Sequence, residues 1–251
     1  MIYKKVRQKI LKVAPFIKII RKYNIIIPKI LAHIVWPIYK PKNCNYDGKK
    51  FFLSTKNYPN PSRDLFAYKN IYNSYEKKIL EIYLTKGSNC IDVGANIGFF
   101  TYLFLKIGGK KSLIYSFESN SNVYSILKKN FENETNVICE LGKVGTNEGD
   151  ICIDNIINFD VNFIKIDIDG VDYYALKSCE QVIKKNKPKI IIELSEASER
   201  EHGIHYNKTI EFLLNNNYNL YEIKNKIEQF NRKLKYKEVI NLFALHSSQK
   251  L

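Results

Sequence analysis

The stretch Cys90–Leu103, CIDVGANIGFFTYL, decides the fold, because it joins an apolar strand to an apolar helix through a turn of unusual composition. Gly94, Asn96 and Gly98 stand in that turn, shortly after Asp92. Glycine lets the backbone approach a ligand closely, and a helix that starts there presents free amides and a positive end to an anionic group. The stretch therefore predicts a strand, a ligand-binding turn and a helix.

A regular alternation of helices and strands surrounds this stretch. The pattern predicts helices over 71–84, 97–107, 121–131, 171–185 and 207–217, and strands over 90–93, 112–118, 136–141, 161–168, 189–194, 219–223 and 239–245. Apolar strands that alternate with helices indicate an α/β fold with an open, mostly parallel sheet wound on both faces. In such sheets ligands bind beyond the carboxyl ends of the strands.

The end of the second strand of this sheet indicates a nucleoside ligand. Glu118 stands there, twenty residues after Gly98, where a carboxylate can accept hydrogen bonds from both hydroxyls of a ribose. A dinucleotide-binding turn would have a glycine in place of Asn96. We therefore expect S-adenosylmethionine as the cofactor, held by the turn and by Glu118 with Ser119 beside it. The alternative is a glycine turn with a purely structural role.

The next buried strand, in FIKIDIDGVD (163–172), carries charges where apolar residues are expected. A buried ammonium group needs a carboxylate partner, so Lys165 must find one or reach the surface. Asp167 and Asp169 stand at the carboxyl end of the strand, and we expect them to be catalytic together with Lys165. In the structural alternative, Asp169 and Gly170 form a turn, and Asp172 caps the following helix.

Glu193 stands near the end of the strand KIIIEL (189–194), and two histidines follow the strand. We expect Glu193 to lie near the site, either toward the acceptor or as the partner of Lys165. His202 and His205 form an HxxH pair in a predicted loop, where exposed histidines without a role are common. His205 is the alternative candidate for a general base.

Composition and charge narrow the class of protein. The net charge of +15 favours an anionic partner, such as an acidic membrane surface, or reflects a compositional bias toward lysine. The five cysteines form no CxxC pair, which predicts reduced thiols in a cytoplasmic protein. We divide the chain into a basic amino-terminal segment with a lead-in, residues 1–69, and a catalytic domain, residues 70–251.

The amino-terminal segment has an amphipathic pattern. Apolar residues recur at spacings of three and four, although Pro15 interrupts them: Val6, Ile10, Val13, Ile17 and Ile20. Lysine and arginine are frequent there, and no acidic residue precedes Asp47. We expect either peripheral contact of residues 1–40 with the anionic inner face of a membrane, with Trp36 and Tyr39 at the interface, or a helical layer on the domain. Neither a secretory signal nor a membrane-spanning segment is expected.

Four segments in this order resemble the FkbM-type methyltransferases: CIDVGANIGFFT, YSFESN, NFIKIDIDGVDYYALKSC and KPKIIIEL. The resemblance runs from about Tyr75 to Leu245. It implies a Rossmann-like sheet of about seven strands whose last strand is reversed, and S-adenosylmethionine-dependent methyl transfer to an oxygen, often of a glycan. It also implies that the turn from Asp92 to Gly98 meets the methionine part, that Glu118 meets the ribose, and that Asp167 lies beside the reacting centre.

The sequence departs from the family pattern in two ways. Asp169 and Asp172 stand where members commonly have glutamate. The segment 141–160 is short, which leaves the adenine contacts open and predicts an open site for a large acceptor, such as a lipid-linked glycan.

A hydroxyl acceptor must lose its proton to a base or be acidified by a metal ion. Carboxylates of the three residues Asp167, Asp169 and Glu193 are ligands that Mg²⁺ prefers, so the sequence leaves a divalent metal open. The alternatives are a nucleic-acid methyltransferase, a non-catalytic binding module and a dehydrogenase. The basic residues concentrate before Asp47 rather than around the predicted site. This distribution makes a nucleic-acid substrate the less favoured alternative.

Overall fold

The computed structural model describes residue 36 and residues 40–54, 59–68, 73–224 and 227–250. Its strands are β1 (Asn43–Tyr46), β2 (Lys49–Phe52), β3 (Cys90–Val93), β4 (Ile114–Glu118), β5 (Val137–Leu141), β6 (Phe163–Ile166), β7 (Lys189–Ser195), β8 (Tyr218–Ile223), β9 (Ile227–Gln229) and β10 (Val239–His246). Its helices are α1 (Pro59–Tyr68), α2 (Ser74–Tyr83), α3 (Phe99–Gly108), α4 (Ser121–Asn130), α5 (Ile153–Ile156), α6 (Asp172–Lys177), α7 (Glu180–Asn186), α8 (Ser198–His202) and α9 (Asn207–Asn215). The predicted amphipathic stripe and Tyr39 lie outside the described residues. Trp36, predicted to lie at a membrane interface, is instead buried in the core, with its ring 6.1 Å from that of Phe66.

Eight strands form the main sheet, in the order β5-β4-β3-β6-β7-β10-β8-β9. Neighbours from β5 to β7 are parallel, whereas β10 is antiparallel to both β7 and β8. The predicted mostly parallel sheet with a reversed last strand is confirmed, and the short β9 adds one strand to the predicted seven. Because β3 lies between β4 and β6, strand order reverses beside it, which is where such sheets bind ligands.

The sheet is covered on both faces, as its apolar strands predict. One core cluster includes Phe163 of β6 and Phe243 of β10. The other includes Ile164 and Leu242, which are adjacent to them on the same strands. Successive side chains of a strand point to opposite faces, so the two clusters are the two layers beside the sheet. All five cysteines are free, as expected.

The predicted helix 171–185 is two helices, α6 and α7. The break comes at Ser178, whose hydroxyl donates to the carbonyl of Ala175 at 2.8 Å. The carboxylate of Asp154, in α5, accepts hydrogen bonds from the backbone N–H groups of Gln181 and Val182 at 2.9 and 3.0 Å. This carboxylate acts as a cap for α7. The single-helix prediction was therefore wrong, because the capping group is distant in the sequence.

A hairpin, β1–β2, lies within the predicted lead-in and was not predicted. Asp47 and Gly48 form its turn, both with positive φ (50° and 85°), as a tight hairpin requires. The backbone of Phe52 exchanges two hydrogen bonds with the side-chain amide of Asn130 in α4, at 2.7 and 3.1 Å. The hydroxyl of Tyr102 in α3 donates to the carbonyl of Asp47 at 2.9 Å. The hairpin is thus joined to the domain that follows it.

Within the parts of the chain that the structure describes, no helix is long and apolar enough to cross a bilayer.

Candidate active site

A cleft with two lobes opens at the carboxyl ends of β3, β4 and β6. The lobes have volumes of about 230 and about 270 Å³ and share Gly94, Asn96, Asp167 and Asp169. Taken together they fall within the roughly 300–1,000 Å³ that small-molecule sites occupy. The first lobe is also lined by Pro61, Asn73, Ala95, Ile97, Phe99, Phe100 and Lys165. The second lobe is also lined by Glu118, Ser119, Asn120 and Ile168.

The glycines of the turn are required by the protein's own packing. Gly94 has a φ of 77°, and a Cβ atom placed on it would lie 1.9 Å from the carbonyl oxygen of Asp167. Gly98 has a φ of 89°, and its Cβ would lie 2.2 Å from the ring of Phe131. Both positions therefore exclude side chains. Gly94 lines the cleft, whereas Gly98 lies behind its wall.

Glu118 is buried and held in a fixed orientation. Its Oε2 accepts a hydrogen bond from the backbone N–H of Asn96 at 2.9 Å, and its Oε1 accepts one from the backbone N–H of Asn120 at 2.8 Å. Each carboxylate oxygen has a second lone pair, so both can still accept from a ligand. Burial raises the pKa of Glu118, and the two backbone donors oppose that rise. The lobe that Glu118 lines thus fits a ribose with two adjacent hydroxyls.

Asp92 lies beneath the turn and lines neither lobe. Its side chain is fully buried, and Oδ2 accepts a hydrogen bond from the hydroxyl of Thr101 at 2.7 Å. Its Oδ1 has no hydrogen-bond partner among the described residues. Burial raises the pKa of Asp92, and the charge of Lys165 opposes the rise. Of the predicted cofactor residues, Gly94, Asn96, Glu118 and Ser119 line the cleft, while Asp92 and Gly98 do not.

The predicted catalytic residues Lys165 and Asp167 are in direct contact. The ammonium of Lys165 is buried 2.9 Å from Oδ2 of Asp167 and 4.7 Å from the ring centre of Phe100. Burial alone would lower the pKa of Lys165, but the charges of Asp167 and Asp92 more than offset it and raise the pKa. The carboxylate that pairs with Lys165 is thus Asp167 rather than Glu193.

The loop after Asp167 is shaped by Asp172. Asp169 and Gly170 have φ values of 54° and 95°, which confirms the predicted turn. Asp172 is buried and accepts hydrogen bonds from the backbone N–H groups of Ile168 and Gly170, at 2.9 and 3.0 Å. It therefore holds the preceding loop, and the prediction that it caps the following helix was wrong. Burial raises its pKa to about 6, and the pKa of Asp169 is raised by burial and by the charge of Asp167.

Glu193 lies near the carboxylates of Asp167, Asp169 and Asp172 but lines neither lobe. It stands in β7 opposite Asn241 of β10, and none of the described residues hydrogen-bonds to or ion-pairs with its carboxylate. Burial, together with the charges of Asp167, Asp172 and Asp169, raises its pKa to about 8. Glu193 is thus largely protonated at neutral pH.

The histidines are placed differently from each other. His205 stacks on Tyr206 at 4.4 Å, accepts a hydrogen bond from the backbone N–H of Asn207 at 3.1 Å and lines neither lobe. His202, at the end of α8, has Nε2 at 3.0 Å from the carbonyl oxygen of Asp169. His202 is therefore the histidine beside the site, although the prediction selected His205. Reasoning from sequence also missed Pro61 and Asn73, since both come from segments before β3.

For the described residues, no three histidine, cysteine, aspartate or glutamate side chains are close enough to hold a metal ion.

A family model described as "Methyltransferase FkbM domain" matches residues 140–220, which contain β6, β7, Asp167 and Glu193. The resemblance to the FkbM methyltransferases is confirmed. The match ends before β10 and begins after the glycine turn and Glu118. The match therefore covers the side of the cleft that β6 and β7 form.

Solved structures show the same fold. A putative rRNA-methylase from Clostridium thermocellum has a TM-score of 0.50 and 12% identity, over 70% of this chain and 96% of that one. A precorrin-6y C5,15-methyltransferase from Geobacter metallireducens GS-15 has a TM-score of 0.49 and 15% identity, over 78% and 93%. A methyltransferase FkbM from Methylobacillus flagellatus KT has a TM-score of 0.47 and 18% identity, over 76% and 56%. No curated protein sequence matches the chain.

The chain thus combines the Rossmann-like fold of methyltransferases with a match to the FkbM methyltransferase domain. S-adenosylmethionine is the cofactor of this class of protein, and the lobe with Glu118 fits its ribose.

Proposed function

We propose that the chain is an S-adenosylmethionine-dependent O-methyltransferase that acts on a hydroxyl of a glycan or glycan precursor. The observation that carries this proposal is the position of Asp167. It lines both lobes, so it stands between the ribose-binding carboxylate of Glu118 and the space beside Phe100 and Lys165.

The residues of the cleft fit the sulfonium and the methionine part of the cofactor. S-adenosylmethionine supplies a methyl group on a cationic sulfonium. The carboxylates of Asp167 and Asp169 line both lobes and would favour that positive charge. The start of α3, at Phe99, lines the first lobe and offers the positive end of a helix to the carboxylate of the methionine part.

Asp167 is suited to accept the proton of the acceptor hydroxyl. A hydroxyl is a weak nucleophile at neutral pH, so a base must take its proton during attack. The side chain of Asp167 is 36% exposed in the wall of the cleft. Its Oδ2 accepts from Lys165 at 2.9 Å, which leaves Oδ1 to receive a proton. Positioning the hydroxyl opposite the sulfonium supplies much of the remaining acceleration.

The charge of the cleft favours a glycan over a nucleic acid. The chain as a whole carries +15, but Asp167 and Asp169 line both lobes of the cleft. Phosphate groups near these carboxylates would be repelled, whereas neutral sugar hydroxyls would not.

The acceptor side of the cleft is open. None of the residues 141–160 lines either lobe, which supports a large acceptor such as a lipid-linked glycan. The basic segment 1–40 would bring the enzyme to the inner face of the membrane, where such acceptors lie. These proposals include a cytoplasmic location.

The test uses the purified full-length chain with isotopically labelled S-adenosylmethionine. It is incubated with a lipid-linked glycan fraction, with free monosaccharides and with total RNA, and mass analysis identifies the labelled product. We expect label on an oxygen of the lipid-linked fraction, and none with the matched variant Asp167→Asn. Label on RNA, or on nitrogen or carbon, would refute the proposed acceptor or reaction. Label only on free monosaccharides would refute the large acceptor.

A further inference from the structure

Three buried or partly buried charged side chains lie in a row across two strands: Asp92, Lys165 and Asp167, which we call the charged triad. Asp92 and Lys165 are directly paired in the parallel register of β3 and β6, so their side chains lie on the same face. Lys165 then reaches the carboxylate of Asp167 at 2.9 Å. The triad runs from beneath the glycine turn to the wall of the cleft.

Keeping this triad buried is unfavourable compared with an apolar strand. Asp92 is 0% exposed and Lys165 is 4% exposed, and both strands are otherwise built of apolar residues and packed on both faces. Two well-packed apolar residues would often stabilise such positions better than a buried ion pair. Charged residues in an otherwise apolar core are expected mainly at functional positions. The triad is therefore expected to serve the site rather than stability.

The surroundings of Lys165 fix where its ammonium can go. The charges of Asp167 and of Asp92 in β3 attract it, Glu193 of β7 attracts it more weakly, and the ring of Phe100 in α3 lies 4.7 Å away. Among the described residues that line the two lobes, Lys165 is the one cationic side chain. Several groups of the protein itself thus fix the position of the ammonium, without any contribution from the cofactor.

We propose that Lys165 is a positioning residue that fixes the Asp167 carboxylate through Oδ2 and stabilises its negative charge, and that buried Asp92 holds Lys165 in place. This inference rests on the proposed role of Asp167 as the base. It gives Asp92 a role different from the cofactor contact that the family resemblance implies. It also explains why Oδ1 of Asp92 is buried without a hydrogen-bond partner, since the nearby ammonium compensates its charge.

The first test measures methyl transfer between pH 5 and 9 for the full chain and for Lys165→Met, with Lys165→Arg as the conservative variant. For Lys165→Met we expect transfer to fall by about 100-fold at pH 7 and the acid limb of the pH profile to move up by about one pH unit or more. Lys165→Arg should restore part of both. Calorimetry should show cofactor affinity unchanged within about threefold. An unmoved acid limb would overturn the inference.

Lys189→Met is the matched control. Lys189 stands at the start of β7, and burial lowers its pKa without any opposing carboxylate. The same substitution there should leave the pH profile unchanged. If it moved the acid limb as far as Lys165→Met, the effect would be a general one of lysine removal, and the inference would be wrong.

The second test does not need an acceptor. Denaturant unfolding of the wild-type chain, Asp92→Asn, Lys165→Met and the double variant forms a double-mutant cycle. We expect each single substitution to shift the unfolding equilibrium at least tenfold, and the double variant to be at least tenfold more stable than the sum of the singles predicts. Additive effects would overturn the link between Asp92 and Lys165. Should Lys165→Met fail to fold, Lys165→Arg and Asp92→Asn carry the pH comparison. Coupling without any methyl transfer would refute the proposed function and leave the buried pairing standing.

Discussion

The two sides of the cleft satisfy their carboxylates in different ways. On the side of β3 and β4, the binding side, Asp92 accepts from Thr101, and Glu118 accepts from two backbone N–H groups. On the side of β6 and β7, the acidic side, the ammonium of Lys165 is the partner of Asp167. Glu193 has no hydrogen-bond partner in the described part of the chain, and its pKa is raised to about 8.

This difference separates two tasks. Backbone donors fix the orientation of Glu118 before any ligand arrives, which is what binding a rigid ribose requires. On the acidic side, neighbouring carboxylates raise the pKa of Glu193, so its protonation responds to pH and to an incoming cation. The binding side therefore holds its carboxylate in a fixed orientation, and the acidic side responds to changes in charge.

The largest effect should come from breaking the acidic side alone. Asp167→Asn removes the proposed base but keeps the shape of the side chain, so methyl transfer should fall by about 10³-fold. Cofactor affinity, measured by calorimetry, should change by less than about fivefold, because the binding side is intact. Normal turnover in this variant would end the assignment of Asp167 as the base.

Breaking the binding side should produce the opposite result. Glu118→Ala should weaken cofactor binding by about 100-fold, since it removes the ribose acceptor and leaves the N–H groups of Asn96 and Asn120 unpaired. Glu118→Gln keeps one acceptor oxygen and should weaken binding by about tenfold. Turnover at saturating cofactor should stay within about threefold of wild type. A fall in turnover with unchanged affinity would reverse the division of tasks.

Glu193→Gln sharpens the comparison through pH. A carboxyl whose pKa is raised on folding stabilises the folded state fully only below its unfolded pKa, and that contribution is lost as pH rises through the folded value. The contribution of Glu193 should thus fall between about pH 4.5 and 8. At pH 8.5 the variant should be more stable than wild type by on the order of 4 kcal/mol, since each unit of the rise from 4.5 to about 8 corresponds to about 1.4 kcal/mol, and at pH 4 nearly equal to it.

Thermal or denaturant unfolding at several pH values measures this difference. Asp172, with its pKa raised to about 6, adds its own slope below that pH in both proteins and cancels in the comparison. A stability difference that does not change with pH would mean that Glu193 is ionised throughout this range.

The smallest effects should come from the histidines. His205→Ala should change methyl transfer by less than about twofold, because His205 is a partly exposed side chain that lines neither lobe. His202→Ala removes a contact to the carbonyl of Asp169 and should reduce transfer by about fivefold. Steady-state rates of both variants at pH 7 provide the check. A larger loss in His205→Ala would return it to the list of candidate bases.

The sequence predicts the parts of the cleft that are local. The turn, Glu118 and Asp167 each follow a strand directly, so the rule that ligands bind at strand ends finds them. The burial of Asp92 beneath the turn was not visible, because it depends on a hydrogen bond from Thr101, whose hydroxyl also contacts that of Ser116 in a neighbouring strand. Pro61 and Asn73 were missed for the same reason, since only tertiary packing brings them to the cleft.

Two misses in the fold also have physical causes. The hairpin turn at Asp47 and Gly48 is a recognised signal, but its flanking strands of four residues each are too short for a clear alternation. The break between α6 and α7 depends on the carboxylate of Asp154, which lies far from the break in sequence. His205 was selected because helix α8 was not predicted. The last residue of α8, His202, is the histidine that lies beside Asp169.

The position of β10 has a consequence for how the chain is made. Because β10 lies between β7 and β8, the segment β8–β9 has no place in the sheet until residues 239–246 have left the ribosome. During synthesis the apolar edge of β7 stays open while the parallel half can already assemble. An edge of this kind pairs readily with other chains. Chaperone contact with nascent chains that stop before residue 239 should therefore be stronger than with chains that extend past residue 246.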